Sequence, residues 1–257
     1  MSYYTGIDIG STATKVVVLS DEALVDSFVI PTGWSSREAA DQVAARLAEA
    51  GHPVDQDMRV IATGYGRISV DFAAKSVTEI TCHGKGAYAL MGRDCTVVDI
   101  GGQDTKVITV ENGMPASFLM NDKCSAGTGK FLEIMANRLG VGLGEMFDLA
   151  AKGKPLAISS MCTVFAESEV ISHIGAGEQR EDIAAGVVDS VVSKVAGLCL
   201  RHTLKGDVIL TGGLCDCPYV LEKLGEKLKV PVTSSPMGRY AGALGAALIA
   251  RGKGKKG

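Results

Sequence analysis

Ten residues near the amino terminus return, without a gap, 91 positions later. Ile7-Asp8-Ile9-Gly10-Ser11-Thr12-Ala13-Thr14-Lys15-Val16 matches Val98-Asp99-Ile100-Gly101-Gly102-Gln103-Asp104-Thr105-Lys106-Val107, with Asp, Ile, Gly, Thr, Lys and Val identical in register. Shared β propensity does not account for such matching. The pair reads as a duplicated strand–turn–strand unit, and hence as two related half-domains facing one another. In each copy a strand delivers an aspartate to a tight glycine turn whose backbone can approach phosphate closely. Two such turns would clamp a polyphosphate from opposite sides. Asp8 and Asp99 would hold Mg²⁺ mostly through its waters.

The rest of the chain agrees with an α/β fold around a nucleotide cleft. Strands are expected at Tyr3–Ile9, Lys15–Ser20, Leu24–Pro31 and Met58–Thr63, with helices from Ser35 or Ser36 to about Ala50 and from near Glu79 to Met91. After the second copy of the turn come further strand over Thr109–Asn121, helices over Gly144–Lys152 and Gln179–Leu204, and a strand at Asp207–Leu210. That strand ends in Thr211-Gly212-Gly213, a turn suited to lying against a nucleoside. Tyr219–Leu228 is helical, and Tyr240–Arg251 is a helix rich in Ala and Gly that should pack closely on its neighbours. The expected half-domains are 1–92 and 93–238, with the terminal helix, 239–257, packing back on the first.

A second feature is Asp122-Lys123-Cys124-Ser125-Ala126-Gly127-Thr128-Gly129-Lys130-Phe131, followed by apolar residues at helical spacing. Cys124 would sit at or just before a helix N-terminus, where unpaired N–H groups and the macrodipole favour a thiolate. Gly127, Thr128 and Gly129 offer backbone N–H groups to an anion such as phosphate. Cys162 repeats the arrangement ahead of Thr163-Val164-Phe165-Ala166-Glu167. A lone cysteine is most often a small buried hydrophobe, but two that each open a helix point to a paired role as metal ligands or nucleophiles.

These motifs carry a resemblance. Paired Asp-x-Gly turns followed by a Gly-Gly turn resemble the superfamily of actin, sugar kinases and heat-shock chaperone ATPases, with ribonuclease-H-like half-domains. More narrowly, Asp8-Ile9-Gly10-Ser11-Thr12, Ala62-Thr63-Gly64-Tyr65-Gly66-Arg67, Asp99 through Asp104, Asn121 through Gly129 and Cys162 through Val170 look like the activators of 2-hydroxyacyl-CoA dehydratases. The likeness runs essentially the whole length, and its two cysteine motifs are the specific ones. It implies ATP, ADP and Mg²⁺ as ligands. It also implies a homodimer in which Cys124 and Cys162 of both subunits hold one [4Fe–4S] cluster. An electron from ferredoxin or flavodoxin would pass through it to the dehydratase, driven by ATP hydrolysis. Two cysteines per chain supply four ligands only through a two-fold axis, which agrees.

Individual residues carry open alternatives. Gln103 and Asp104 are candidates to orient the attacking water, since phosphoryl transfer needs positioning more than covalent chemistry. Glu79 either starts a helix or, like its superfamily counterpart, lies near the nucleotide's metal. Gly10, Ser11, Thr12, Gly101, Gly102, Gly212 and Gly213 are the remaining nucleotide contacts expected. Lys15 and Lys106 either meet phosphate or sit on an exposed strand face. His83, His173 and His202 read as surface or satisfied core residues; Cys82, Cys95 and Cys199 read as core. Cys215 and Cys217 either mark altered adenine contacts or form a second metal site.

Composition narrows the partners. A net charge of −3 gives no reason to expect nucleic acid. No signal peptide is visible, and no apolar run is expected to approach the roughly 20 residues that cross a bilayer. Seven scattered cysteines argue against a disulfide framework and for a reducing cytoplasm. The rival activities are the same electron transfer to benzoyl-CoA reductase or a double-cubane cluster protein, a small-molecule kinase, and a chaperone-like switch. No substrate-binding segment is expected beyond residue 257.

Overall fold

A computed structural model describes residues 2–55, 58–121, 127–158 and 162–252. The first sheet is built from β1 (Tyr3–Ile9), β2 (Ala13–Leu19), β3 (Leu24–Pro31), β4 (Met58–Thr63) and β5 (Lys75–Ser76), in the order β3-β2-β1-β4-β5. β1 and β2 form an antiparallel hairpin that places Asp8 opposite Lys15, and β1 pairs in parallel with β4. The second sheet contains β6 (Cys95–Ile100), β7 (Thr105–Glu111), β8 (Met114–Asn121), β9 (Asp207–Gly212) and β10 (Val232–Thr233). Read from its β8 edge, its order is β8-β7-β6-β9-β10, the same succession of strands as in the first. The ten-residue echo is therefore the hairpin of a five-strand sheet that recurs in full.

Between the strands run α1 (Ser36–Glu49), α2 (Glu79–Met91), α3 (Gly129–Arg138), α4 (Leu143–Ala150), α5 (Thr163–Gly175), α6 (Arg180–Leu200), α7 (Pro218–Leu228) and α8 (Ala241–Gly252). Ser35 caps α1 by accepting from Glu38 N–H, and Thr78 caps α2 by accepting from Thr81 N–H. The chain divides into two compact units: 1–97 with 108–118 and 235–257, and 98–107 with 119–234.

The first unit has two apolar layers. One joins Ile7, Val16 and Phe28 to Val43 and Leu47 of α1, and the other joins Val17 and Ile61 to Ala243, Ala246 and Ala250 of α8. The α8 layer depends on missing side chains. A methyl group added to Gly6, Gly86 or Gly245 would fall 1.9, 1.9 and 1.8 Å from the carbonyl oxygens of Ala243, Ala241 and Cys82. The helix thus lies backbone to backbone on β1 and α2, as its Ala- and Gly-rich composition requires.

The second unit is organised around α6, which is long and apolar enough to cross a membrane. The mean hydropathy is high although Asp189 and Lys194 interrupt the apolar sequence. Thirteen of its 21 residues are buried against β6, α3, α4 and α7 neighbours such as Val98, Phe131, Met146 and Leu224, as in the core helix of a globular unit.

Candidate functional site

At the end of β1 the Gly10 N–H donates to Ala13 O at 3.2 Å, closing the first turn. Thr32 Oγ1 donates to Gly10 O at 2.8 Å and lies 2.9 Å from Thr14 Oγ1, so the base of the turn is braced from β3. Ser11 and Thr12 are half-exposed at its tip. The Lys15 ammonium stands 3.5 Å from the point where a side chain on Gly10 would begin, which puts a cation over the turn rather than on an exposed face. Asp8 is only 5% exposed. A methyl group on Gly64 would meet its Oδ1 at 2.5 Å, and one on Gly242 would meet its Oδ2 at 2.7 Å. His83 Nε2 lies 3.9 Å from Oδ2. Glu79, half-buried, opens the same helix one turn earlier.

The second turn repeats this construction. Gly101 N–H donates to Asp104 O at 2.9 Å. Gly64 and Gly212 then prove equivalent. Each ends the strand beside the aspartate strand, each follows a buried Thr, and their φ values are +88° and +87°. A methyl on Gly64 would fall 2.4 Å from Ile9 O, and one on Gly212 would fall 2.3 Å from Ile100 O. Gly66 and Gly213 donate to those same carbonyls at 2.9 and 3.3 Å. This second echo, Thr63-Gly64 with Thr211-Gly212, went unread in the sequence because only two residues recur.

The two carboxylates differ in their company. Thr211 Oγ1 donates to Asp99 Oδ1 at 2.8 Å, and Lys106 Nζ lies 3.6 Å from Asp99 Oδ2 and 2.7 Å from Asp104 Oδ2. All three charged groups are buried, so Lys106 is not on an exposed strand face. Asp104 is folded beneath Gly101, while Gln103 projects to solvent from the tip of the turn. The structure thereby separates two residues that adjacency in sequence had joined.

The cysteine-bearing stretch is tied to the second turn. Gly129 and Lys130 donate their N–H groups to Gly101 O and Gly102 O, both at 2.9 Å, and Thr105 Oγ1 donates to Gly127 O at 2.8 Å. The Gly129 N–H is therefore committed to the turn rather than offered to an anion. Gly127 (φ +98°) and Thr128 are buried. Cys124 lies outside the described residues.

Cys162 is the N-cap residue of α5 and is exposed; Cys82, Cys95, Cys199 and Cys215 are buried. Burial pushes the Cys82 and Cys199 thiols up to about 12, so these are protonated packing groups. Burial also raises Cys217, the half-buried N-cap of α7. Among the described residues no group of three or more His, Cys, Asp or Glu side chains could hold a metal. The face of α5 beyond Cys162 is apolar and exposed at Val164, Phe165, Ile171 and Ile174. An ion pair between Arg138 and Glu167 joins α3 to α5, the helices that follow the two cysteine motifs.

A model of the BadF/BadG/BcrA/BcrD ATPase family matches residues 5–250. The chain is 47% identical to the (R)-2-hydroxyglutaryl-CoA dehydratase activating ATPase of Acidaminococcus fermentans, over 100% of both chains. The crystal structure of (R)-2-hydroxyglutaryl-CoA dehydratase component A from that organism superposes with a TM-score of 0.93 at 45% identity, covering 100% of each chain. An activator of the 2-hydroxyisocaproyl-CoA dehydratase from Clostridium difficile, solved with bound ADPNP, gives a TM-score of 0.92 at 37% identity over 99% of this chain and 96% of that one.

Proposed function

Because this chain belongs to the BadF/BadG/BcrA/BcrD ATPase family, we propose that it is an ATP-hydrolysing activator of a 2-hydroxyacyl-CoA dehydratase, a homodimer that passes one electron from ferredoxin or flavodoxin to that enzyme. We assign Cys124 and Cys162 of both copies as ligands of one shared [4Fe–4S] cluster. The observation that carries this reading is Cys162: among the described residues it is the exposed cysteine, it opens a helix, and exposed Val164 and Phe165 flank it. A thiol at a helix N-terminus suits an anionic metal centre, and an apolar rim suits burial against an identical surface. Cys162 fits the group on those grounds, and Cys124 is assigned with it from the sequence motif around it. When bound, the cluster supplies the low-potential electron.

The hydrolytic step falls to the two turns. Gly10, Ser11 and Thr12 in one unit, and Gly101 and Gly102 in the other, present backbone that can approach phosphate oxygens, with the Lys15 ammonium as counter-charge. Asp8 and Asp99 are the carboxylates assigned to Mg²⁺ and its waters. The chemistry fits: oxygen donors walled by Gly64, Gly242 and Gly212 leave room beside each carboxylate that a side chain would fill. Gln103, exposed at the tip of its turn, is better placed than the ion-paired Asp104 to orient the attacking water. Gly212 and Gly213 are assigned to the nucleoside, and Glu79 to the metal's surroundings. The half-domains are assigned as 1–92 with 239–257, and 93–238, on the repeat of strand order.

Iron, acid-labile sulfide and oligomeric state, measured on anaerobically purified protein, test this. About four irons per dimer are expected, and either Cys124→Ala or Cys162→Ala should abolish them. An iron-free protein that still hydrolyses ATP would overturn the redox reading and leave a nucleotide-dependent switch or kinase.

A further inference from the structure

We propose that His83 is a positioning residue for nucleotide hydrolysis, acting by orienting the carboxylate of Asp8. The two repeats differ in what surrounds the carboxylate. Asp99 is steered by a hydroxyl at 2.8 Å and an ammonium at 3.6 Å. The lysine at the equivalent place in the first repeat, Lys15, stands instead over Gly10. Asp8 is as deeply buried as Asp99 and has the same need of a compensating polar neighbour. His83 is the polar side chain that stands there: Nε2 lies 3.9 Å from Oδ2, and the two side chains are 7% and 8% exposed.

The surroundings leave this pair little freedom. Gly242 at the start of α8 backs both groups, since a methyl there would fall 2.7 Å from Asp8 Oδ2 and 2.8 Å from His83 Nε2. Gly64 approaches the other oxygen as closely, since a methyl there would fall 2.5 Å from Asp8 Oδ1. α2, which carries His83, is held by backbone contact with α8 at Gly86 and Gly245. A rigid helix thus presents an imidazole edge to a carboxylate whose direction decides what it can hold. Glu79, four residues earlier, shares that helix face. His83 touches neither phosphate nor water in this assignment and works only through Asp8.

The proposal rests on the nucleotide role given to Asp8, and one set of ATPase measurements on the full chain separates the two. His83→Ala should lower kcat about tenfold while KM for ATP and the melting temperature stay close to wild type. His83→Gln, whose amide nitrogen can occupy the place of Nε2, should recover most of the loss. In the cycle with Asp8→Asn, the double variant Asp8→Asn/His83→Ala should be no slower than Asp8→Asn alone, because the residues act as a unit. Wild-type kcat in His83→Ala, or losses that multiply in the double variant, would overturn the assignment. So would His83→Gln losing as much as His83→Ala in step with melting temperature, the pattern of a packing residue. Undiminished hydrolysis in Asp8→Asn would remove the premise and overturn both readings together.

Discussion

The turns of this protein depend on positions where a single methyl group cannot exist. Gly64 and Gly212 combine left-handed backbone with a carbonyl oxygen 2.4 and 2.3 Å from any added Cβ. Gly33 has a similar φ of +67° but open space around it. Gly33→Ala should therefore cost only backbone strain, about 1–2 kcal/mol. Gly64→Ala and Gly212→Ala add a clash beneath Asp8 or Asp99, and should cost more than that and abolish nucleotide binding. Chemical denaturation alongside ADP titration checks both. A melting temperature for Gly64→Ala equal to that of Gly33→Ala would show that the turn tolerates the methyl. His83 makes the complementary point. Its spacing of four from Glu79 was the available signal, yet nothing in the sequence said that this helix face meets residue 8.

Among the elements, α8 shows most clearly how sequence becomes packing. Its glycines and alanines permit contact at backbone distance, and Gly245 faces Cys82 O where an added methyl would lie at 1.8 Å. Gly245→Ala must push α8 off α2, at a cost of about 1–3 kcal/mol or more by the usual scale of overpacking. Gly197, exposed in α6 with nothing within 4 Å, is the contrasting case. There the same substitution should stabilise by about 0.5–1 kcal/mol through helix propensity. Opposite signs for one chemical change, measured by urea unfolding, would establish that α8 is placed by backbone contact. Helix existence and most boundaries were legible from periodicity. The start of α3 was not: it begins at Gly129, after hydrogen bonds from Gly129 and Lys130 reach back to Gly101 and Gly102. A contact of that span leaves no periodic trace in the chain.

For the whole molecule, the outer face of α5 matters most. Val164, Phe165, Ile171 and Ile174 are exposed in the single chain, more apolar surface on one helix than water favours. On the proposed homodimer with its shared cluster, Phe165→Glu should shift light scattering from dimer to monomer and lower iron content with it, leaving the fold of the single chain intact because the side chain is 66% exposed. A dimer that survives the charge would place the interface elsewhere. The sequence by itself determined the duplicated hairpin, the aspartates that end β1 and β6, the helices and the two cysteine motifs. All of these are written in residue identity at short, regular spacing. Only the tertiary structure decided that the two sheets share one strand order and that Thr63-Gly64 and Thr211-Gly212 are counterparts. It alone showed that Lys106 is buried between carboxylates while Lys15 stands over its turn, and that His83 stands beside Asp8. The two lysines differ by contacts within their own hairpins, while the others depend on atoms brought together across tens to more than a hundred residues. Propensity and pattern act locally, whereas a buried polar group takes whichever partner the packed chain brings within reach.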